Sequence, residues 1–212
     1  MFQLKKESHT NSKLESILIE NEIENFSMRI YPNLGASLQE FSKNNHQIID
    51  GISNDESGLE AYKGRYTSAF LFPFPNRIAN GAYEFSGKRY QLETNETALN
   101  NALHGFIANK SFDLIQEEVT ETAVILKFEY NYSGAITGYP FPFKIHITYT
   151  ISLNNTNISI DAVNTGSSEM PFGIGWHPYF KVNNLSESTM NFDAFSQYEV
   201  DAHMIPTKET SL

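Results

Sequence analysis

The sequence contains no cysteine. That absence removes a disulfide framework, a thiol nucleophile and a thiolate metal site together, and it fits a reducing, cytoplasmic compartment. Bases are scarce as well: 15 Lys and Arg stand against 25 Asp and Glu, a formal net charge of −10. Such a chain repels nucleic acid and anionic membrane surfaces unless its bases are concentrated. The densest basic spots, Lys5-Lys6 and Lys88-Arg89, are only pairs, so we expect no nucleic-acid partner and no membrane partner. No apolar run approaches the roughly 18 residues that a membrane-spanning helix needs. Lys5 and Lys6 lead into a polar stretch from Glu7 to Lys13 rather than into the apolar core of a secretory signal. Helical patterning is sparse. No repeat, low-complexity tract or Ser/Gly linker divides the chain, so a single domain over residues 1–212 is expected. Nothing in the sequence specifies an oligomeric state.

Apolar residues and aromatics are plentiful. They reach 40% and 13% of the chain, with 16 Phe and 11 Tyr, enough for a sizeable core and too much for a disordered or fibrous chain. The clearest periodic signal runs from Phe143 to Ile151. Phe143, Ile145, Ile147, Tyr149 and Ile151 are apolar and every residue between them is polar, a period of two that marks a half-buried strand. After Asn154-Asn155, a turn signal, residues 157–162 alternate again, so the two stretches read as a hairpin. Residues 14–19, 24–31, 36–41, 83–92 and 124–130 lean the same way, and Ser86-Gly87 breaks 83–92 into a second hairpin. Short strands separated by turn residues predict an all-β, antiparallel sandwich or barrel.

Three segments are unusual for plain scaffold. Residues 72–81, Phe-Pro-Phe-Pro-Asn-Arg-Ile-Ala-Asn-Gly, hold two prolines that remove backbone donors, which predicts a rigid loop presenting Asn76 and Arg77. The arginine can grip sugar hydroxyls or a carboxylate, or it can tie down its own loop. In Leu103-His104-Gly105 the glycine permits close backbone approach or positive φ beside an imidazole, although a lone His-Gly pair is weak evidence and a structural His is the commoner outcome. Residues 171–180, Pro-Phe-Gly-Ile-Gly-Trp-His-Pro-Tyr-Phe, carry the single Trp, His177 held extended before Pro178, and Tyr179. Rings beside an imidazole suit a carbohydrate, whose C–H faces pack on aromatics while its hydroxyls need polar partners. An aromatic core cluster would look the same. His146 falls on the polar face of the alternating strand and is expected in solvent, and His9, His46 and His203 lack supporting neighbours. No zincin spacing, EF-hand loop, phosphate-binding glycine loop or G-x-S-x-G elbow is present.

In this order, Asn76-Arg77-Ile78-Ala79-Asn80-Gly81 with the hairpin ending Tyr90-Gln91-Leu92, Leu103-His104-Gly105, Gly138-Tyr139-Pro140, Asn164-Thr165, Gly175-Trp176-His177-Pro178-Tyr179-Phe180 and Ile205-Pro206-Thr207 resemble the aldose 1-epimerase (mutarotase) family. The resemblance covers roughly residues 20 to 208. It implies a large antiparallel β-sandwich of the galactose mutarotase-like kind with an open cleft, and interconversion of the α and β anomers of a free, neutral aldohexose. That reaction donates a proton to the ring oxygen and removes one from the anomeric hydroxyl, so it needs an acid and a base and neither a metal nor an organic cofactor. By the resemblance, His177 is the proton donor to the ring oxygen and His104 the second histidine, which hydrogen-bonds the substrate as the ring opens. Asn76 and Arg77 are the substrate-binding pair, with Tyr179 in the pocket wall.

The family's catalytic glutamate and a sugar-binding aspartate lie beyond the Pro-Thr segment, outside residues 1–212, so the sandwich is expected to be incomplete relative to the family. Glu209, Asp193, Glu199 and Asp201 are not expected to replace them, and these 212 residues alone are expected to turn sugar over poorly. Two further readings stand beside the epimerase: a non-catalytic sugar-binding module of the same fold, and a hexose-6-phosphate 1-epimerase. The last needs several converging bases, whereas Arg29, Arg65, Arg77 and Arg89 are the only arginines in an acidic chain. A purely structural β-domain is the fourth.

Overall fold

The computed structural model describes residues Met1–Leu212. Five strands, β1 (Gln3–Glu7), β2 (Ser16–Asn21), β3 (Phe26–Tyr31), β4 (Ser37–Lys43) and β5 (His46–Asp50), form an antiparallel sheet in sequence order. A short helix, α1 (Glu56–Arg65), follows. Asp55 caps it by accepting the Gly58 N–H at 2.9 Å, and Lys63 and Arg65 in the last turn complement the helix dipole. Next come the small strands that carry the site: β6 (Phe70–Leu71), β7 (Arg77–Ala79), the hairpin β8 (Ala82–Phe85) and β9 (Lys88–Gln91), and β10 (Asn101–Leu103). A second antiparallel sheet, again in sequence order, contains β11 (Asp113–Val119), β12 (Ala123–Tyr132), β13 (Phe143–Ser152) and β14 (Thr156–Asn164). Then follow β15 (Gly175–Trp176) and a terminal hairpin, β16 (Ser196–Val200) with β17 (Pro206–Ser211).

The expected all-β sandwich is present, and the period-two pattern is what builds it. On β13 the five apolar residues are at most 1% exposed, and on β12 Val124, Leu126 and Phe128 are fully buried beside them. They face Ile17, Ile19, Met28, Ile30, Leu38 and Ile49 of the first sheet across one continuous core. Each such side chain contributes about 1.5–3 kcal/mol when fully buried. The Tyr149 hydroxyl crosses the interface and donates to the Ala36 carbonyl at 2.6 Å, so a buried polar group is satisfied rather than stranded.

Three expectations change. His146 is not solvated: its Nε2 lies 2.8 Å from a Glu129 carboxylate oxygen, because the two residues are opposite each other in the β12–β13 register. Residues 72–81 are not loop throughout. The prolines stop at Pro75, so Arg77–Ala79 keep their N–H groups and pair as β7 with β10. The helix α1 adds to the expected elements, since Gly58 and Gly64 dilute its pattern and only Leu59 and Tyr62 bury large apolar side chains.

Burial fades toward one edge of the second sheet. β14 pairs only with β13, and its inward-facing Ile158 and Ile160 are half-buried, while Phe192, Phe195 and Tyr198 further along are exposed. No helix is long and apolar enough to cross a membrane. The burial gradient makes a prediction. Ile147→Ala should cost about 2–5 kcal/mol in urea unfolding, and Ile158→Ala clearly less; equal costs would contradict the packing described.

Candidate active site

Two small ladders share one segment of chain. On one side β6 pairs with β15, Phe70 opposite Trp176 and Leu71 opposite Gly175. The pairing continues past the strand ends, where the His177 N–H donates to the Ala69 carbonyl at 3.0 Å and the Ser68 N–H to the His177 carbonyl at 2.8 Å. On the other side Phe72 bridges Gly105, and its carbonyl accepts the Phe106 N–H at 3.0 Å. Gly105 has φ +68°, and a Cβ there would meet the Phe72 carbonyl oxygen at 2.2 Å, so only glycine allows this approach. The segment from Ser68 to Phe72 thus holds His177 on one flank and the chain after His104 on the other.

The β7–β10 ladder completes the frame. Arg77 lies opposite Leu103, which leaves Asn76 and His104 facing each other just beyond the paired residues. Their backbones and one ring interlock: the His104 N–H donates to the Asn76 carbonyl at 2.9 Å, and the Asn76 N–H donates to His104 Nδ1 at 3.1 Å. Asn76 and His104 both take left-handed backbone (φ +58° and +63°), a conformation costing side-chain-bearing residues of order 1–3 kcal/mol each and concentrated at functional sites.

The five residues expected at the site are contiguous. The His104 and His177 rings are 5.4 Å apart between centroids, at 70°. The Tyr179 ring lies 5.5 Å from His177, and its hydroxyl donates to the Arg65 carbonyl at 3.2 Å. Arg77 Nη1 donates to the Asn76 side-chain oxygen at 3.1 Å. Trp176 backs the group by stacking on Phe70 at 6.4 Å and donating to the Ser68 carbonyl.

Other residues of the constellation fall outside every motif. Glu96 takes Arg77 in a two-pronged grip, Nε to Oε2 at 2.8 Å and Nη2 to Oε1 at 2.7 Å, and Oε2 also accepts the buried Asn101 amide at 2.9 Å. This geometry holds the Glu96 carboxyl below its ordinary range through its bond to Arg77 and raises the guanidinium in turn. Arg77 therefore does tie down its own loop, and still directs Nη1 at Asn76. Tyr66, whose ring centroid lies 4.9 Å from that of His104 at 72°, and Asn95 are equally unmarked in sequence. No group of three or more His, Asp and Glu side chains converges to hold a metal.

A cavity of about 500 Å³ adjoins the chain at His104, and none of the five expected side chains, His104, His177, Asn76, Arg77 and Tyr179, is part of its wall. Its wall includes Leu103 and Gly105, the residues flanking His104, together with Tyr66 and Phe106.

Because Nδ1 of His104 accepts a backbone N–H, its neutral ring carries hydrogen on Nε2 and offers a donor there. Burial, then the neighbouring His177, then Arg77 push its pKa down to about 4, against a smaller opposing pull from Glu96. The ring is thus a neutral donor at physiological pH. The unfolded chain binds the proton near 6.5 and the folded chain near 4, so between those values the unfolded state holds more protons and stability rises with pH. The contribution is complete above about 6.5 and withdrawn as pH falls toward 4. NMR titration of the ring resonances should place the His104 midpoint near 4, and an ordinary midpoint near 6.5 would contradict the burial and tautomer described.

The sequence model of the aldose 1-epimerase family matches residues 15–211. The Escherichia coli protein YihR is 32% identical over 177 residues, 82% of this chain and 54% of that protein. Human galactose mutarotase is 28% identical over 169 residues, 77% of this chain and 47% of that protein. Among solved structures, a galactose mutarotase-like protein from Clostridium acetobutylicum superposes with a TM-score of 0.84 at 22% identity, over 99% of this chain and 65% of that one. Galactose 1-epimerase from Lactobacillus acidophilus does so at 0.75 and 19%, over 100% and 63%. These are likenesses of fold, and the fold is the galactose mutarotase-like β-sandwich. The chain spans about half the length of the curated relatives it matches. With nearly all of its residues inside the family match, this chain belongs to the aldose 1-epimerase family.

Proposed function

We propose that this chain binds a neutral aldohexose across His104 and His177 and takes part in interconverting its α and β anomers. The observation that carries the reading is the pair of imidazoles at 5.4 Å, borne on two chain segments that backbone hydrogen bonds fix at the histidines themselves. In this reading His177 gives a proton to the ring oxygen. His104, neutral and with Nε2–H free, hydrogen-bonds the substrate as the ring opens. Asn76 and Arg77 bind hydroxyls. Tyr179 supplies a ring for a sugar C–H face to pack on.

The base is a separate matter. Glu96 is the carboxylate that His104 senses, and both its oxygens are engaged by Arg77 and Asn101. A carboxylate so committed is a weak proton acceptor, and we give it a positioning role. This supports the second reading, a sugar-binding module of the same fold, for residues 1–212 on their own. Glu96 already neutralises Arg77, which disfavours that guanidinium as a phosphate ligand and with it a phosphorylated hexose held by Arg77.

Polarimetry of freshly dissolved α-glucose and α-galactose, with calorimetric titration of the same sugars, separates the readings. We expect saturable binding of at least one sugar, any acceleration to be modest, and both to fall in His177→Ala. Saturable binding without acceleration selects the binding module. Binding and rotation unaffected by His104→Ala and His177→Ala would reject the site and leave a structural β-domain.

A further inference from the structure

Most tyrosines whose hydroxyls find a partner in this protein donate inward. Tyr62, Tyr83, Tyr132, Tyr139, Tyr149 and Tyr179 each give their hydroxyl hydrogen to a backbone carbonyl. Tyr66 does the opposite. Its oxygen receives Asn95 Nδ2–H at 3.0 Å, and the orientation of that amide is fixed from the other side. The Leu103 N–H donates to Asn95 Oδ1 at 2.6 Å, and Asn95 Nδ2 donates back to the Leu103 carbonyl at 3.0 Å. A backbone N–H can face only the amide oxygen, so Asn95 presents only N–H to Tyr66. The tyrosine must accept, and its own hydrogen is committed to no protein group.

Tyr66 borders the candidate site through its ring, which packs on His104. Tyr66 ends α1 in left-handed conformation (φ +52°), and its ring meets His104 in a T-shaped contact. With Asn95, Leu103, Gly105, Phe74 and Phe106 it lines the cavity of about 500 Å³, a size within the usual range for small-molecule sites. Burial keeps the phenol above its ordinary pKa, so the proton stays on oxygen at neutral pH. Polar groups among aromatic walls are what a polyhydroxylated ring requires, and one hydroxyl with a spare donor is matched by a sugar oxygen with a spare lone pair.

We infer that Tyr66 is a further substrate-binding residue whose hydroxyl donates to one hydroxyl oxygen of the aldose, and that Asn95 is the positioning residue that keeps this hydrogen available. The inference rests on the sugar-binding reading and extends it to a residue outside the family motifs.

The test uses calorimetric titration of the full chain with glucose, galactose and a set of monodeoxy aldohexoses. Tyr66→Phe removes only the hydroxyl and should weaken the parent sugar about 3- to 10-fold, the range for one neutral hydrogen bond. One monodeoxy sugar, lacking the paired oxygen, should bind wild type and variant equally, a cancellation that a purely structural role would not produce. Asn95→Asp offers Tyr66 a carboxylate to donate to, and it should give the same loss with the tyrosine in place. Circular dichroism reports whether each variant is folded, and the aspartate variant carries the test if the phenylalanine one is not. Sugar binding by wild type with unchanged affinity in the folded variants would overturn this inference alone. No binding by wild type to any of the sugars would overturn the sugar reading and this inference with it.

Discussion

The backbone hydrogen bonds made by Ser68–Phe72 hold the candidate site together. One flank of this short segment pairs with Trp176 and His177, and the other accepts the chain at Gly105 and Phe106. Neither histidine lies on a long strand, so neither is placed by the large sheets directly. Both are placed by reference to the same five residues, and a few ångströms of slip in that segment would part the rings. The two sheets supply rigidity beneath it: Phe70 touches Tyr149 and Phe72 touches Phe143, both buried side chains of the most regular strand. The requirement for glycine at position 105 belongs to the same constraint, because any larger residue would push the second histidine away from the seam.

The electrostatics follow from that placement. Bringing two imidazoles within 5.4 Å in a half-buried spot makes it costly to charge both. The structure resolves this by tying His104 Nδ1 to a backbone N–H and depressing that ring's pKa, which leaves a neutral donor at His104. Arg77 would add a further positive charge, and Glu96 cancels it while Arg77 Nη1 donates to Asn76. The acidic net charge of the chain is therefore not reflected at the site, where the partnered charges balance.

Much of this is legible in the sequence, and the parts that are not have physical reasons. The alternation from Phe143 to Ile151 announces the buried strand because successive side chains of a pleated backbone point to opposite faces, and a helix would scatter the same apolar residues around its axis. The Ser86-Gly87 turn announces the β8–β9 hairpin, with both residues in left-handed conformation. His104, His177, Asn76 and Arg77 stand out through the order of short motifs, not through any property of a single one. The helix is hidden by two glycines in ten residues. Glu96 carries no local signal, since its meaning depends on an arginine 19 residues earlier in the chain. Tyr66 and Asn95 are unreadable for a related reason: a donor's availability depends on where its hydrogen bonds go, and that is a property of three dimensions. His146 misleads because an alternating pattern states which face a residue occupies and not what stands beside it.

The proposed function requires both imidazoles to meet one sugar. Two-dimensional NMR of the histidine ring resonances, recorded while galactose or glucose is added, tests this directly. The His104 and His177 signals should move together, with one shared dissociation constant, while those of His9 and His46 stay in place. Movement of only one site histidine, or of neither at saturating sugar, would contradict it.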